Sequence, residues 1–311
     1  MKVFVTGATG VIGQQAMPAL VAAGHHVSAV ARTPAKAEAV RAAGAEPVTV
    51  DLFDAAAVRR AVAGHEALVN LATHIPPLAR AARRRAWADN DRIRTEVSAH
   101  LAEAALAEEV PRLVQESIGF LYPDRGEQWI DEDVPTDPTP VTASALRAET
   151  NARRVAAGGG AAVVLRFGLF YGPASHHTRD MVRIARRFGV SPWIGPVGAY
   201  LSPVHTDDLG AAVVAALGAA SGTYNVCDDR PVRGSEWGAA LAAAIGRPRL
   251  RQVGGVLATL AGKLAGGAVG RSQRMSNARF REATGWAPTV PSATVGWPAT
   301  VEALRDRPAR G

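Results

Sequence analysis

A glycine-rich turn between an apolar strand and a helix opens this chain, and it constrains the fold more than any other feature. Residues 3–5 are short, apolar and β-branched or aromatic, which predicts a buried strand. Three glycines follow with two residues between each, and residues 11–22 then have the apolar spacing of a helix. Such a turn lets a pyrophosphate approach the backbone at the helix N-terminus. The sequence therefore predicts a dinucleotide-binding loop formed by Gly7, Thr9, Gly10, Val11, Ile12 and Gly13.

Strand and helix patterns alternate through the first half of the chain. The predicted strands are residues 26–31, 47–50, 67–72, 112–115 and 162–167, and the predicted helices are residues 35–43, 55–63 and 93–109. This alternation predicts an α/β fold, a Rossmann-type doubly wound parallel sheet with helices on both faces. Beyond about residue 170, proline and glycine become frequent. We expect residues 1–170 to form the cofactor-binding domain, with returning segments near 204–230, and residues 171–311 to form mainly a smaller substrate-side lobe.

Composition narrows the class of protein. The chain has 311 residues, 48% of them hydrophobic, which is enough for one large core. No uninterrupted apolar run approaches the roughly 18 residues that a membrane span requires. The start of the chain enters a strand directly, so we expect no signal peptide and a cytoplasmic location. The single cysteine, Cys227, excludes an internal disulfide framework and a cysteine-rich metal site, and we expect no metal.

The net charge of +7 comes almost entirely from arginine, which supplies 32 of the 35 basic residues. That bias is typical of a GC-rich coding sequence rather than of phosphate recognition. The densest cluster favours a solvated helix face, with an anion-attracting collar as the second interpretation. We therefore expect a small-molecule substrate, with neither nucleic acid nor a membrane as partner. The cluster consists of Arg80, Arg83, Arg84, Arg85, Arg92 and Arg94.

Residues that follow the predicted strands point to the cofactor, because ligands of such sheets bind beyond the carboxyl ends of the strands. Arg32 and Lys36 follow the second strand, and no acidic residue occurs in residues 27–36. An arginine there neutralises a 2′-phosphate, whereas NAD sites usually place an acid at this point. The sequence thus favours NADP(H). Further predicted contacts are Asp51, Leu52, Leu71, Ala72 and Thr73.

These motifs, in their order and spacing, resemble the extended or atypical short-chain dehydrogenases/reductases of the NAD(P)-dependent epimerase/dehydratase type. The matching pieces cover nearly the whole chain: residues 6–13, 51–52, 71–73, 90, 117, 122, 165–173, 204–209, 222–226 and 285–288. The resemblance implies that Asn90, Phe167 and Leu169 lie at the cofactor. It also implies a possible homodimer formed through residues 91–109 and 141–157.

At one motif the chain departs from the family pattern, and this departure concerns proton transfer rather than cofactor binding. The family's proton transfer depends on a Tyr-x-x-x-Lys pair, and the matching positions here are Val141 and Ala145. Neither side chain can move a proton. The candidate replacements are Ser117, Tyr122 and His74. Tyr122 would need a cationic neighbour to act as a base, and a solvated role competes for His74.

Two classes of function stay open on this basis. The first is an NADP(H)-dependent reductase or epimerase/dehydratase-like enzyme that acts on a small organic substrate with a non-standard proton donor. A related version is a non-redox isomerase or cyclase that uses the same pocket. The second is a catalytically silent NADP(H)-binding regulatory or assembly protein. The substrate-side lobe favours the enzyme, whereas the missing pair and the apolar stretch 254–270 favour the binding protein.

Overall fold

The computed structural model describes residues 1–77, 80–81, 83–193, 195–252, 267 and 270–305. The apolar stretch 254–270, which in the sequence favours a binding protein, lies outside the described residues except for two glycines. Among the described residues, no helix combines the length and the apolar character that crossing a bilayer requires.

Thirteen strands are present in the described residues. They are β1 Lys2–Thr6, β2 His26–Val30, β3 Glu46–Val48, β4 Ala67–Asn70, β5 Arg112–Ile118, β6 Trp129–Ile130, β7 Ala161–Phe167, β8 Leu169–Tyr171, β9 Tyr200–Leu201, β10 Pro203–His205, β11 Gly222–Val226, β12 Val232–Arg233 and β13 Arg274–Met275. Seven of them form the main sheet in the order β11-β7-β5-β4-β1-β2-β3, with every neighbouring pair parallel. The predicted Rossmann-type parallel sheet is confirmed.

The strand order reverses between β1 and β4. From β1 the chain moves outward through β2 to β3, and it then returns to place β4, β5 and β7 on the other side of β1. A reversal of this kind leaves a crevice at the carboxyl ends of the two strands, where ligands of such sheets bind. The adenosine and nicotinamide ends of a dinucleotide would therefore lie on opposite sides of β1.

Within the part of the chain that the structure describes, eleven α-helices surround the sheet and the lobe beside it. They are α1 Val11–Ala22, α2 Pro34–Ala42, α3 Ala55–Val62, α4 Ala88–Arg92, α5 Ser98–Ala107, α6 Ala143–Ala157, α7 His176–Phe188, α8 Leu209–Ala216, α9 Gly234–Ala244, α10 Ala278–Thr284 and α11 Ala293–Arg305. The predicted helix 93–109 starts earlier than expected, because α4, a π-helical turn over Ile93–Val97 and α5 form one continuous helical run. A π-helical turn changes which side chains face inward and often marks a functional position.

The core has a layer on each face of the sheet. On one face, Met17 of α1 and Val213 of α8 pack against Val5. On the other face, Leu101 of α5 and Ala152 of α6 belong to a second apolar cluster. Because both faces of the sheet are covered, a charged residue inside a strand needs a specific partner.

Short strand pairs build the lobe beside the carboxyl edge of the sheet. β8 pairs with β10, β9 with β12, and β6 with β13. A separate apolar cluster supports this part, with Tyr171, Trp193, Trp237 and Trp297 among its members. The lobe thus has a core of its own directly beside the strand ends. Cys227 is buried and unpaired.

Candidate active site

The glycine loop after β1 has the shape of a phosphate-binding turn. Gly7 has a φ of +72°, and a Cβ there would overlap the carbonyl oxygen of Leu71. A Cβ on Gly13 would overlap the backbone of Gly7 and Ala8. Both positions therefore require glycine for the fold itself. Gly10 differs, because a Cβ there would meet only the Gly7 carbonyl oxygen, at 3.3 Å, and would otherwise face open space.

The N-terminus of α1 is left open at this loop. Gly10 is its N-cap residue and offers no side-chain cap, and the first turn contains no acidic residue. The backbone N–H groups there carry the partial positive charge of a helix N-terminus. Thr9 and Val11 are half-buried beside it, and Ile12 packs inward. These features fit the pyrophosphate of a dinucleotide.

The region beyond β2 and β3 carries an exposed arginine and an exposed aspartate. Arg32 follows β2 and is exposed, and Thr33 caps α2 by accepting a hydrogen bond from the N–H of Lys36 at 3.4 Å. Asp51 follows β3, and its carboxylate accepts from the N–H of Phe53 at 2.9 Å, with Leu52 half-buried between them. Arg32 is therefore available to solvent at the place where the adenosine ribose of a dinucleotide would lie.

The segment after β4 is anchored by a buried amide. Leu71 is buried, whereas Ala72, Thr73 and His74 become progressively exposed. Asn90 has no exposed surface, and its Oδ1 accepts from the N–H of His74 at 3.0 Å. Its Nδ2 has no hydrogen-bond partner among the described residues. Asn90 thus fixes the course of this segment and retains an unused donor.

A buried ion pair lies at the end of β5. Arg94, in the π-helical turn, donates from Nη2 to both carboxylate oxygens of Glu116, at 2.8 and 3.2 Å. The side chains are 1% and 4% exposed. Burial raises the pKa of Glu116, and Arg94 offsets only part of that effect. The prediction that Arg94 belongs to a solvated helix face is wrong, because the sequence spacing did not reveal the acid it meets on β5.

Ser117 lies inside β5, not after it as the sequence suggested. The strand continues to Ile118, three residues beyond the predicted end. Because successive side chains point to opposite faces of a sheet, Ser117 is directed toward α6. Its hydroxyl has no exposed surface and donates to Oε1 of Glu149 at 2.6 Å. The assignment of Ser117 to a loop is therefore wrong, while its catalytic role remains a prediction.

Tyr122 belongs to a buried network around Glu149. Arg166 of β7 donates from Nε and Nη2 to the two oxygens of Glu149, both at 2.8 Å, and from Nη1 to the Tyr122 hydroxyl at 2.9 Å. The Tyr122 hydroxyl in turn donates to Oδ1 of Asn225 at 2.8 Å. Every member is buried. Arg166 is the cationic neighbour that the sequence could not assign to Tyr122.

Burial and charge act in opposite directions in this network. Burial raises the pKa of Tyr122 to about 12, despite the favourable contact with Arg166. For Glu149, burial also opposes ionisation, but the hydrogen bonds and charge of Arg166 outweigh it and hold the pKa below its ordinary value. Glu149 is therefore a carboxylate and Tyr122 a neutral phenol at neutral pH. The network is a charge-balanced structural unit.

The two positions that the sequence resemblance aligns with the family's proton-transfer pair are apolar and buried. Val141 is 6% exposed and Ala145, in the first turn of α6, is 1% exposed. The side chains at these positions can neither donate nor accept a proton. Phe167 ends β7 and is buried, and Leu169, which opens β8, is half-buried.

A cavity adjoins the ends of β5 and β7 and the lobe beside them. It holds about 340 Å³ of free space when the part open to solvent is counted, and the centre of a water molecule can reach about 20 Å³ of it. Three aromatic side chains line it together with aliphatic and polar groups, a mixture found in small-molecule sites. Sequence patterns did not identify most of these residues, since they come from five separate segments. The lining side chains include Phe120, Leu169, Trp193, Tyr200, Arg271 and Gln273.

Comparisons with known proteins agree with this geometry. The model of the NAD dependent epimerase/dehydratase family matches residues 3–227. A Streptomyces protein named 3-diazoavenalumate denitrifying reductase is 38% identical over 302 residues, covering 94% of this chain and 97% of the relative.

Solved structures share the fold at lower identity. One is a dTDP-glucose 4,6-dehydratase from Streptomyces venezuelae with NAD bound (TM-score 0.81, 21% identity, 99% of this chain and 98% of that chain covered). Another is a UDP-glucose 4-epimerase from Thermus thermophilus in complex with NAD (TM-score 0.78, 23% identity, 98% and 99% covered).

Proposed function

Because the chain belongs to the NAD dependent epimerase/dehydratase family, we propose that it is a reductase that uses NADP(H) and acts on a small aromatic electrophile. One observation carries the proposal: the glycine loop has the shape that a dinucleotide requires. We propose further that the buried Val141 and Ala145 occupy the positions of the family's proton-transfer pair. A site of this kind binds the cofactor and orients the hydride acceptor, but it lacks the acid that would protonate an alkoxide product. It therefore suits an acceptor on which no negatively charged oxygen forms.

An aromatic diazonium group is such an acceptor. The name of the 38% identical relative, a denitrifying reductase of 3-diazoavenalumate, supports this substrate class. A bound reduced nicotinamide supplies one hydride, and the sum Ar–N₂⁺ + H⁻ → Ar–H + N₂ balances in atoms and charge. Because dinitrogen leaves as a neutral molecule, no oxyanion needs protonation. The aromatic side chains Phe120, Trp193 and Tyr200 form a wall suited to a flat ring.

Hydride transfer to the diazonium group itself needs no proton. For an acceptor that does take one, we propose His74 among the three candidate donors, because its side chain is exposed beyond the carboxyl end of β4. The Ser117 hydroxyl donates a hydrogen bond to Glu149, and burial raises the pKa of Tyr122 to about 12. In this proposal Ser117 and Tyr122 have a structural role and do not transfer protons.

The remaining residues would hold the cofactor. We propose that Gly7, Thr9, Gly10, Val11, Ile12 and Gly13 bind the pyrophosphate. Asp51 and Leu52 would adjoin the adenine. Leu71, Ala72, Thr73 and Asn90 would line the crevice after β4, and Phe167 and Leu169 would adjoin the nicotinamide side. The exposed Arg32 would neutralise the 2′-phosphate.

The substrate test is a reduction assay with a diazonium-bearing aromatic carboxylic acid. We expect the enzyme to consume reduced cofactor and release dinitrogen in equal amounts, measured by cofactor absorbance and by headspace mass spectrometry. An enzyme-free reaction corrects for direct chemical reduction. Turnover of simple aldehydes and ketones or epimerisation of a UDP-sugar, with diazonium loss no faster than the enzyme-free rate, would overturn the proposal.

The cofactor test compares dissociation constants for NADPH and NADH. We expect Arg32→Ala to weaken NADPH binding by about tenfold or more, the loss expected for a charged hydrogen bond, and to leave NADH binding unchanged. Arg41→Ala is the matched control, because Arg41 lies on α2 with an exposed side chain paired to Glu38. Equal effects of the two substitutions, or a preference of the unmodified protein for NADH, would contradict the assignment.

A further inference from the structure

Two buried side chains on one helical run carry hydrogen-bond donors that no described protein atom accepts. Arg94 uses only Nη2 for Glu116, and its Nε and Nη1 have no partner among the described residues. Asn90, four residues earlier, uses Oδ1 for the segment after β4, and its Nδ2 is also unused. Asn90 has no exposed surface and Arg94 is 2% exposed. Unmet donors at this burial are costly, so such a set indicates a missing acceptor.

The fold places these donors on one side of the crevice. Asn90 contacts the segment after β4, and Arg94 contacts Glu116 near the end of β5. In the sheet, β4 and β5 lie on the side of β1 opposite to β2 and β3. A dinucleotide with its pyrophosphate at the glycine loop and its adenosine over β2 would extend its nicotinamide riboside over β4 and β5.

The helix opposite offers no polar group at the position that the resemblance assigns to the family's lysine. That position is Ala145. Its methyl group is buried and offers no hydrogen bond. α6 packs against both α4 and the π-helical turn, so the position of the absent lysine and the unused donors belong to neighbouring elements.

We propose that Arg94, assisted by Asn90, takes over from the missing lysine and donates hydrogen bonds to the oxygens of the nicotinamide riboside. The inference rests on the proposed function, since it requires that a nicotinamide nucleotide binds. Glu116 fixes the guanidinium from one side and leaves Nε and Nη1 free for the ligand. Arg94 is then a positioning residue supplied by a different helix from the one that the family pattern uses.

Selective loss of affinity for one half of the cofactor tests this assignment. Arg94→Lys keeps a positive charge for Glu116 but removes the spare guanidinium donors. We expect it to raise the Kd of the reduced cofactor by about tenfold or more, as for lost charged hydrogen bonds, and to leave the Kd of ADP unchanged. ADP lacks the nicotinamide riboside and therefore reports the adenosine half alone. Isothermal calorimetry measures both constants without turnover.

Two further variants keep the result interpretable. Arg92→Lys is the matched control on the same helical run, because Arg92 is exposed and pairs with Glu96, and it should change neither constant. The double variant Arg94→Met with Glu116→Met removes the whole pair, which proteins often tolerate when the replacement is apolar and of similar size. It should show the same selective loss if Arg94→Lys fails to fold.

The outcomes separate this inference from the function on which it rests. Equal weakening of the cofactor and ADP would reveal a purely structural role for Arg94, and unchanged affinity for both would show that its donors do not reach the ligand. Either result overturns the inference alone. Failure of the unmodified protein to bind any nicotinamide cofactor would overturn the proposed function and the inference together.

Discussion

The glycine loop and the network around Glu149 lie at the same edge of the sheet but differ in whether their polar groups have hydrogen-bond partners. At the loop, the first N–H groups of α1 have no side-chain cap, and Gly10 faces open space. Around Glu149, the carboxylate, the Arg166 guanidinium and the Tyr122 hydroxyl are joined by hydrogen bonds of 2.8–2.9 Å. The first region is built to receive a ligand, and the second is complete without one.

This contrast bears on the proposal that the pocket works without the family's proton-transfer pair. Binding uses backbone groups and glycine, which depend on the local turn. Proton transfer in the family depends on two side chains, and we propose that the buried Val141 and Ala145 stand in their place. The polar side chains nearby join β5, α6, β7 and β11 through hydrogen bonds.

The largest expected effect is the loss of stability on substitution of Glu149 by alanine. Removal of this carboxylate leaves Arg166 buried without a counter-charge, which typically costs about 3–5 kcal/mol of unfolding free energy. Urea denaturation measures the difference. Glu103→Ala is the control, because Glu103 is exposed and its pair with Arg154 should contribute at most about 1 kcal/mol. Similar losses of unfolding free energy for the two variants would contradict the interpretation of the Glu149 network as a structural unit.

The next effect concerns affinity rather than stability. A methyl group added by Gly10→Ala would occupy the space above the open end of α1 and keep a phosphate from the backbone. We expect cofactor affinity to fall by about tenfold or more, the value of one to two lost hydrogen bonds to a charged group, with an unchanged melting temperature. Gly218→Ala, where the nearest atom would be 3.7 Å away, should change neither quantity. A lower melting temperature for Gly10→Ala would mean that this glycine, like Gly7, serves the fold.

The smallest effect is expected for Tyr122→Phe. Loss of the hydroxyl should cost about 1–2 kcal/mol of unfolding free energy, because Arg166 and Asn225 lose a shared partner. The pH dependence of turnover should stay the same over roughly pH 6–9, because an ordinary tyrosine has a pKa near 10 and burial raises this one to about 12.

The raised pKa also predicts the sign of a stability change. The folded protein holds the Tyr122 proton more tightly than the unfolded chain does, so this contribution to stability decreases as the pH rises from about 10 toward about 12. Tyr122→Phe should remove that decrease. A shifted basic limb of the pH–rate profile would instead identify Tyr122 as a catalytic group and contradict its structural assignment.

The features that could be predicted from the sequence are those that depend on neighbouring residues. The glycine spacing at Gly7, Gly10 and Gly13 reflects one turn and one helix start, and the parallel sheet follows from the alternation of strand and helix patterns. The prediction that the proton-transfer pair is absent also depends on one short motif, which contains Val141 and Ala145. Each strand, helix or motif behind these signals spans roughly ten consecutive residues, within which local backbone geometry decides the outcome.

Tertiary structure alone decided which polar groups are used and which are free. Three additional residues of β5 turned Ser117 toward Glu149, because one strand position determines the face on which a side chain lies. Arg94 meets Glu116 across 22 residues of sequence, and Tyr122 meets Asn225 across 103. No pattern of neighbouring residues in the sequence predicts such pairs. Their existence follows from the burial of charge, which is tolerated only where the fold brings a partner within hydrogen-bond distance.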